Sequence, residues 1–119
     1  MRTGLAGVAA WLIMAGAAPA WSHAILVQSS PAVGATVPAG DVALRLRFNS
    51  RIDRARSRLT LIRADHSTEV LAIDAVGADD ILTSKVTLPE GTSVVRWQVL
   101  AIDGHITRGD IPLIAAAKK

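Results

Sequence analysis

From residue 42 the chain alternates. Val42, Leu44, Leu46 and Phe48 fall on one side of an extended chain and Ala43, Arg45 and Arg47 on the other, a period of two that predicts a strand with one buried face. Leu59 and Leu61 against Arg58, Thr60 and Ile62 make a second such run, and Val95, Trp97 and Val99 against Val94, Arg96 and Gln98 a third. Weaker runs at 24–28, 69–73, 81–88 and 110–114 read the same way. Turn-forming residues separate them: Ser30-Pro31 with Gly34, then 38–41, 64–67, 77–80, 89–91 and Asp103-Gly104. About seven short strands without a helical stripe predict an all-β sandwich. Beyond the N-terminal segment the large aromatics are Phe48 and Trp97, so Trp97 is expected at the core centre. Pro112 has no amide hydrogen to give a ladder, which predicts that the last strand is an edge or is broken there. Residues 115–119 are expected to fray.

The N-terminal segment follows a different pattern. Met1 and Arg2 precede an apolar and glycine-containing run over 5–18, and small residues surround Trp21 over 19–22. That is the layout of a secretory signal peptide. The expectation is therefore a cleaved signal over 1–22 and one exported domain over 23–119. The apolar run of about 14 residues is short of the roughly 20 that a spanning helix needs. Without paired arginines before it, the general secretion route is expected. Two cuts fit the small-x-small rule: after Ser22, which makes His23 the first residue, and after Ala20, which makes it the third.

Charge and sulfur content narrow the chemistry. The chain carries 13 Lys and Arg against 10 Asp and Glu; loss of Arg2 with the signal leaves 12 against 10, too balanced for a nucleic-acid binder. The densest basic patch, Arg51, Arg54, Arg56 and Arg58, reads as a solvated loop and strand edge. There is no cysteine, so an exported domain must fold without a disulfide. Both methionines, Met1 and Met14, fall in the signal. A metal site in the mature domain must then use nitrogen and oxygen. Apart from Ser22 and Ser67, which adjoin His23 and His66, the serines lie in strand or turn contexts without a histidine nearby, and no glycine-rich phosphate loop follows a strand.

Three histidines remain: His23, His66 and His105. In Asp103-Gly104-His105 the flanking side chains are two residues apart, so an extended chain aims both to one side, and the glycine permits them to converge. A carboxylate and an imidazole aimed together suit copper or zinc; the same residues also read as an ordinary Asp-Gly turn, or as a carboxylate orienting a ring. His23 as first residue would add a terminal amine and its Nδ1, closing a six-membered chelate. With His105 and Asp103 the set becomes three nitrogens and one oxygen, which favours tetragonal Cu(II). A cut after Ala20 would instead let the amine, two amides and the His23 ring form a square around Cu(II) or Ni(II). His66, in Ala64-Asp65-His66-Ser67, reads as a hairpin-turn histidine, with a weak second metal ligand as the other reading.

His23-Ala24 behind a signal, Ser29-Ser30-Pro31-Ala32 with Gly34, the Val42 to Phe48 run, Val95-Arg96-Trp97, and Asp103-Gly104-His105 with Gly109 together resemble the CopC family of periplasmic copper-binding proteins. The likeness spans essentially the whole mature domain. It implies a Greek-key β-sandwich of the immunoglobulin or cupredoxin kind. It also implies one Cu(II) per monomer, held at an N-terminal His23 and completed by Asp103 and His105. The cut after Ser22 is then favoured. Family membership further implies a role in copper resistance or delivery, beside an inner-membrane CopD-type importer, and no enzymatic activity. The chain departs from the family pattern in lacking the methionine-rich Cu(I) loop, and in having Asn49-Ser50-Arg51 where an acidic residue often follows the strand phenylalanine. Two other classes compete: a histidine-brace copper enzyme like the lytic polysaccharide monooxygenases, disfavoured by the absence of tyrosine, and a metal-free immunoglobulin-like interaction module.

Overall fold

The computed structural model describes residues 24–117. Eight strands and no helix make up this part of the chain: β1 (Leu26–Ser30), β2 (Thr36–Pro38), β3 (Gly40–Phe48), β4 (Ile52–Arg63), β5 (Thr68–Leu71), β6 (Ile81–Leu88), β7 (Gly91–Ala101) and β8 (Ile106–Ala116). They form two sheets, one of order β1-β3-β6 and one of order β2-β8-β7-β4-β5. The expected β-sandwich is what the chain adopts. Consecutive strands pair directly only at β4–β5 and β7–β8; every other connection changes sheet.

Alternation explains the packing. Leu44, Leu46 and Phe48 of β3, Leu59 and Leu61 of β4, and Val95, Trp97 and Val99 of β7 are all buried between the sheets, while Arg45, Arg47 and Arg96 face outward. Burial of such side chains contributes about 1.5–3 kcal/mol each. Trp97 stands edge-on to Phe48, ring centroids 5.2 Å apart at 72°, the arrangement that aromatic quadrupoles favour. Opposite Trp97 in the β7–β8 register is Gly109. A Cβ at Gly109 would lie 2.4 Å from the indole, so only glycine lets the ring lie across β8.

Three local expectations need correction. β2 was not anticipated: it is three residues long and pairs in parallel with the end of β8, Thr36 opposite Ile114, too short a run for alternation to register. Of the two readings at Pro112 the break falls and the edge stands: β8 is continuous through it, facing Val94 of β7. The Pro112 carbonyl accepts from Gly34 N–H at 2.8 Å, and the two backbone groups of a strand residue point to the same side. The missing N–H is therefore turned away from β7, towards an edge that β2 covers only from Ile114 onward. Ala115 and Ala116 are held in β8 rather than frayed, Ala115 buried and the Ala116 carbonyl accepting from Ala39 N–H at 2.8 Å.

β4 starts at Ile52 and not at Arg58, because an irregularity hides its first half. Asp53 pairs with Leu100 and Arg58 with Gln98, so residues 54–57 stand against Val99 alone. Such a bulge breaks the period of two. The Ser57 hydroxyl repairs it, donating to the Asp53 carbonyl at 2.7 Å and accepting from Leu100 N–H at 3.3 Å. The basic patch is the solvated strand edge expected. Arg56 pairs with Asp53 at 2.7 Å, Arg51 approaches Asp79 at 3.7 Å, and Arg54 donates to the Ala78 carbonyl at 2.6 Å. The Arg56 guanidinium holds the Asp53 carboxyl below its ordinary value.

Candidate metal centre

β7 and β8 are long, regular and fully paired up to Leu100 opposite Ile106. Residues 101–105 close the hairpin between them. The Gly104 N–H donates to the Ala101 carbonyl at 2.9 Å, and the Ala101 N–H donates to the His105 carbonyl at 2.8 Å. Gly104 carries φ +96°, in a region that side-chain-bearing residues rarely enter. That one residue absorbs the reversal and folds His105 back over Asp103.

The Asp103 carboxylate accepts twice from His105, at Oδ1 from the backbone N–H at 3.2 Å and at Oδ2 from the ring Nδ1 at 2.9 Å. A carboxylate only accepts, so the ring contact puts the proton on Nδ1 and the lone pair on Nε2. This is the carboxylate–imidazole pairing that fixes the tautomer and ring orientation of metal-binding histidines and raises their basicity. The His105 side chain is 60% exposed and that of Asp103 29%, so the ring reaches solvent while its orienting carboxylate is more sheltered. The two sequence readings of Asp-Gly-His, turn and convergent pair, both hold: the turn is what brings the pair together.

The start of the described chain meets the same end of the sandwich. Ala24 is buried, and its carbonyl accepts from the Thr107 hydroxyl at 2.6 Å. Ile25 N–H donates to Asn49 Oδ1 at 2.8 Å, and Asn49 N–H donates to the Ile25 carbonyl at 3.0 Å. Thr107 is two residues beyond His105, and Asn49 immediately follows Phe48. Sequence reasoning missed both. Asn49 stood out only as a departure from an acidic pattern, and a threonine in a strand carries no signal of its own.

His23 lies outside the described residues. Among the described residues no group of three or more His, Cys, Asp or Glu side chains could hold a metal; Asp103 and His105 are a pair. His66 is not brought to them. It occupies the β4–β5 turn beside Arg63, which pairs with Ser93, whereas Ile52 pairs with Ala101 at the other end of the same strands. The eight residue steps from Ser93 to Ala101 span about 26 Å at roughly 3.3 Å each. His66 cannot share an ion with His105.

Residues 26–113 match the family model of the CopC domain. The chain belongs to the CopC family. CopC proteins are periplasmic copper-binding carriers rather than enzymes, which sets aside the histidine-brace enzyme. Among curated relatives, Protein YobA of Escherichia coli (strain K12) is 29% identical over 94 residues, covering 75% of each chain. Among solved structures, CopC from Methylosinus trichosporium OB3b is 26% identical with a TM-score of 0.74, covering 82% of this chain and 97% of that one. PcoC, a methionine-rich copper resistance protein from Escherichia coli, is 27% identical with a TM-score of 0.60, covering 81% and 99%. The matched CopC span contains Asp103 and His105 and starts three residues after His23.

Proposed function

We propose that this chain is exported, cut after Ser22, and acts as a monomeric carrier of one Cu(II) per domain over 23–119. The ion would be held by the terminal amine and Nδ1 of His23 together with His105 and Asp103. The observation that supports this most directly is the Asp103–His105 contact at 2.9 Å, which orients one imidazole at the end of the sandwich where Ala24 is tied to Thr107. Consecutive Cα atoms are about 3.8 Å apart, so a His23 at the terminus starts from this same end.

The donor chemistry supports Cu(II). No thiolate or thioether follows residue 22, and Cu(I) prefers such soft ligands. Amine and imidazole nitrogens with one carboxylate suit a tetragonal ion, and Cu(II) stands highest in the stability order for nitrogen and oxygen sites. The amine has a reference pKa of about 7.7–8.0. Binding therefore releases protons, and affinity falls as pH drops through this range. In the periplasm the carrier would sequester copper or hand it to an inner-membrane CopD-type importer.

Intact mass of the exported protein is expected to give a chain starting at His23. Titration of that protein with Cu(II), followed by visible absorption and electron spin resonance, should saturate at one equivalent with a type 2 spectrum. No saturable binding would remove the proposal, and a chain starting at Trp21 would replace the chelate with the amine–amide–imidazole square.

A further inference from the structure

Three hydrogen bonds hold the chain where it enters the fold, and side-chain burial does not account for them. Ile25 is 51% exposed, and Ala24 buries only a methyl group. Regular β1 pairing is interrupted between Leu26 and Gln28. What fixes residues 24 and 25 is the Thr107 hydroxyl on the Ala24 carbonyl and the two-way exchange between Ile25 and Asn49. Thr107 shares β8 with the turn that presents His105.

Resting on the copper reading above, we propose that Thr107, assisted by Asn49, is a positioning residue for the copper site: it clamps the backbone of Ala24 and Ile25 so that His23 meets His105 already aligned. An unanchored terminus must give up backbone freedom when it binds, whereas a clamped one has lost that freedom on folding. The hydroxyl is never a ligand. It acts through the peptide that joins Ala24 to His23, as the shell behind a metal site supports its ligands.

The test is competition titration of Cu(II) against a chelator, with protein exported and checked by mass, for wild type, Thr107→Val and Thr107→Ser. Thr107→Val removes the hydroxyl at nearly constant shape and is expected to weaken binding about tenfold, the size of one lost hydrogen bond. Thr107→Ser keeps the donor and should stay within about twofold of wild type. At saturation the spin resonance of all three should coincide, because the ligands are the same. In a His23→Ala background, which keeps the terminal amine but loses the ring that closes the chelate, the Thr107→Val effect should shrink, a coupling that a purely structural role would not produce. Equal affinity of Thr107→Val and wild type, or an equal loss in both backgrounds, would overturn the clamp while leaving the copper function standing. Should Thr107→Val fail to fold, Asn49→Ala is read in the same way: weaker binding supports the clamp and unchanged binding removes it. A wild-type protein that takes up no copper overturns the function and the clamp together.

Discussion

The two hairpins among the described residues both carry an aspartate and a histidine in a tight turn, and only one joins them. In the β7–β8 turn Gly104 takes the left-handed backbone at φ +96°, and the His105 ring meets the Asp103 carboxylate at 2.9 Å. In the β4–β5 turn no glycine is present and His66 itself sits at φ +71°. Asp65 there accepts from Ser67, from its backbone N–H at 2.9 Å and its hydroxyl at 2.6 Å. The residue that absorbs the reversal thus decides what the carboxylate does. With a glycine between them the acid orients a ring; with the histidine in that place the acid closes a turn.

The largest expected effect is on copper. His105→Ala should lower Cu(II) affinity by more than about 100-fold, since under the proposed function it removes a ligand rather than a neighbour of one. Asp103→Asn should cost at least about 10–100-fold, since it removes the charged oxygen donor of the proposed site and the acceptor that orients the His105 ring. His66→Ala should change affinity by less than about twofold, because an exposed turn residue at the far end touches nothing in the site. Parallel titrations decide the matter; a His66→Ala loss comparable to that of His105→Ala would mean that the two hairpins are not functionally distinct.

Exchange of the turn residues comes next. Gly104→Ala meets no atom within 4 Å, so its penalty is backbone strain alone, about 1–2 kcal/mol of unfolding free energy. Copper affinity should fall with it, as the ring is no longer folded over Asp103. The reverse exchange, His66→Gly, relieves strain and should stabilise the fold by up to about 1 kcal/mol with copper binding unchanged. Denaturant unfolding of the metal-free proteins gives both values. A Gly104→Ala variant of wild-type stability would show that this turn tolerates a side chain after all.

The strands that build both hairpins were legible in the sequence wherever a face is buried. Leu44, Leu46 and Phe48, and Val95, Trp97 and Val99, could be read as core because alternation is a direct image of the sandwich. It failed where residue count and pairing diverge. The bulge at 54–57 broke the period in β4, and β2 is too short to show one. At Pro112 the edge reading holds and the break does not, because the sequence does not reveal which side of a strand its missing hydrogen faces. Asp103 and His105 were found through their spacing, and the turn confirms that they meet. The contacts of Ala24 and Ile25 were not legible at all, since Thr107 and Asn49 are 83 and 24 positions away from them.

The smallest effect separates the hairpins by pH. Hydrogen bonds from the Ser67 hydroxyl and backbone N–H hold the Asp65 carboxyl below its ordinary value. Folded-state depression of an acid contributes stability that is present above the unfolded pKa, about 3.9. That stability is lost as pH falls through the lower folded value. Asp65→Asn removes the charge, so its melting temperature should lie slightly below wild type at pH 7, and the gap should begin to narrow below about pH 4 and close as pH falls through the lower folded value. Copper-linked stabilisation at the other hairpin should disappear at much higher pH, as the terminal amine of the proposed site protonates below its reference value of about 7.7–8.0. Melting curves from pH 8 to 2.5, with and without one equivalent of Cu(II), resolve the two windows. A gap for Asp65→Asn that persists unchanged at pH 2.5 would show that Asp65 closes its turn without using its charge.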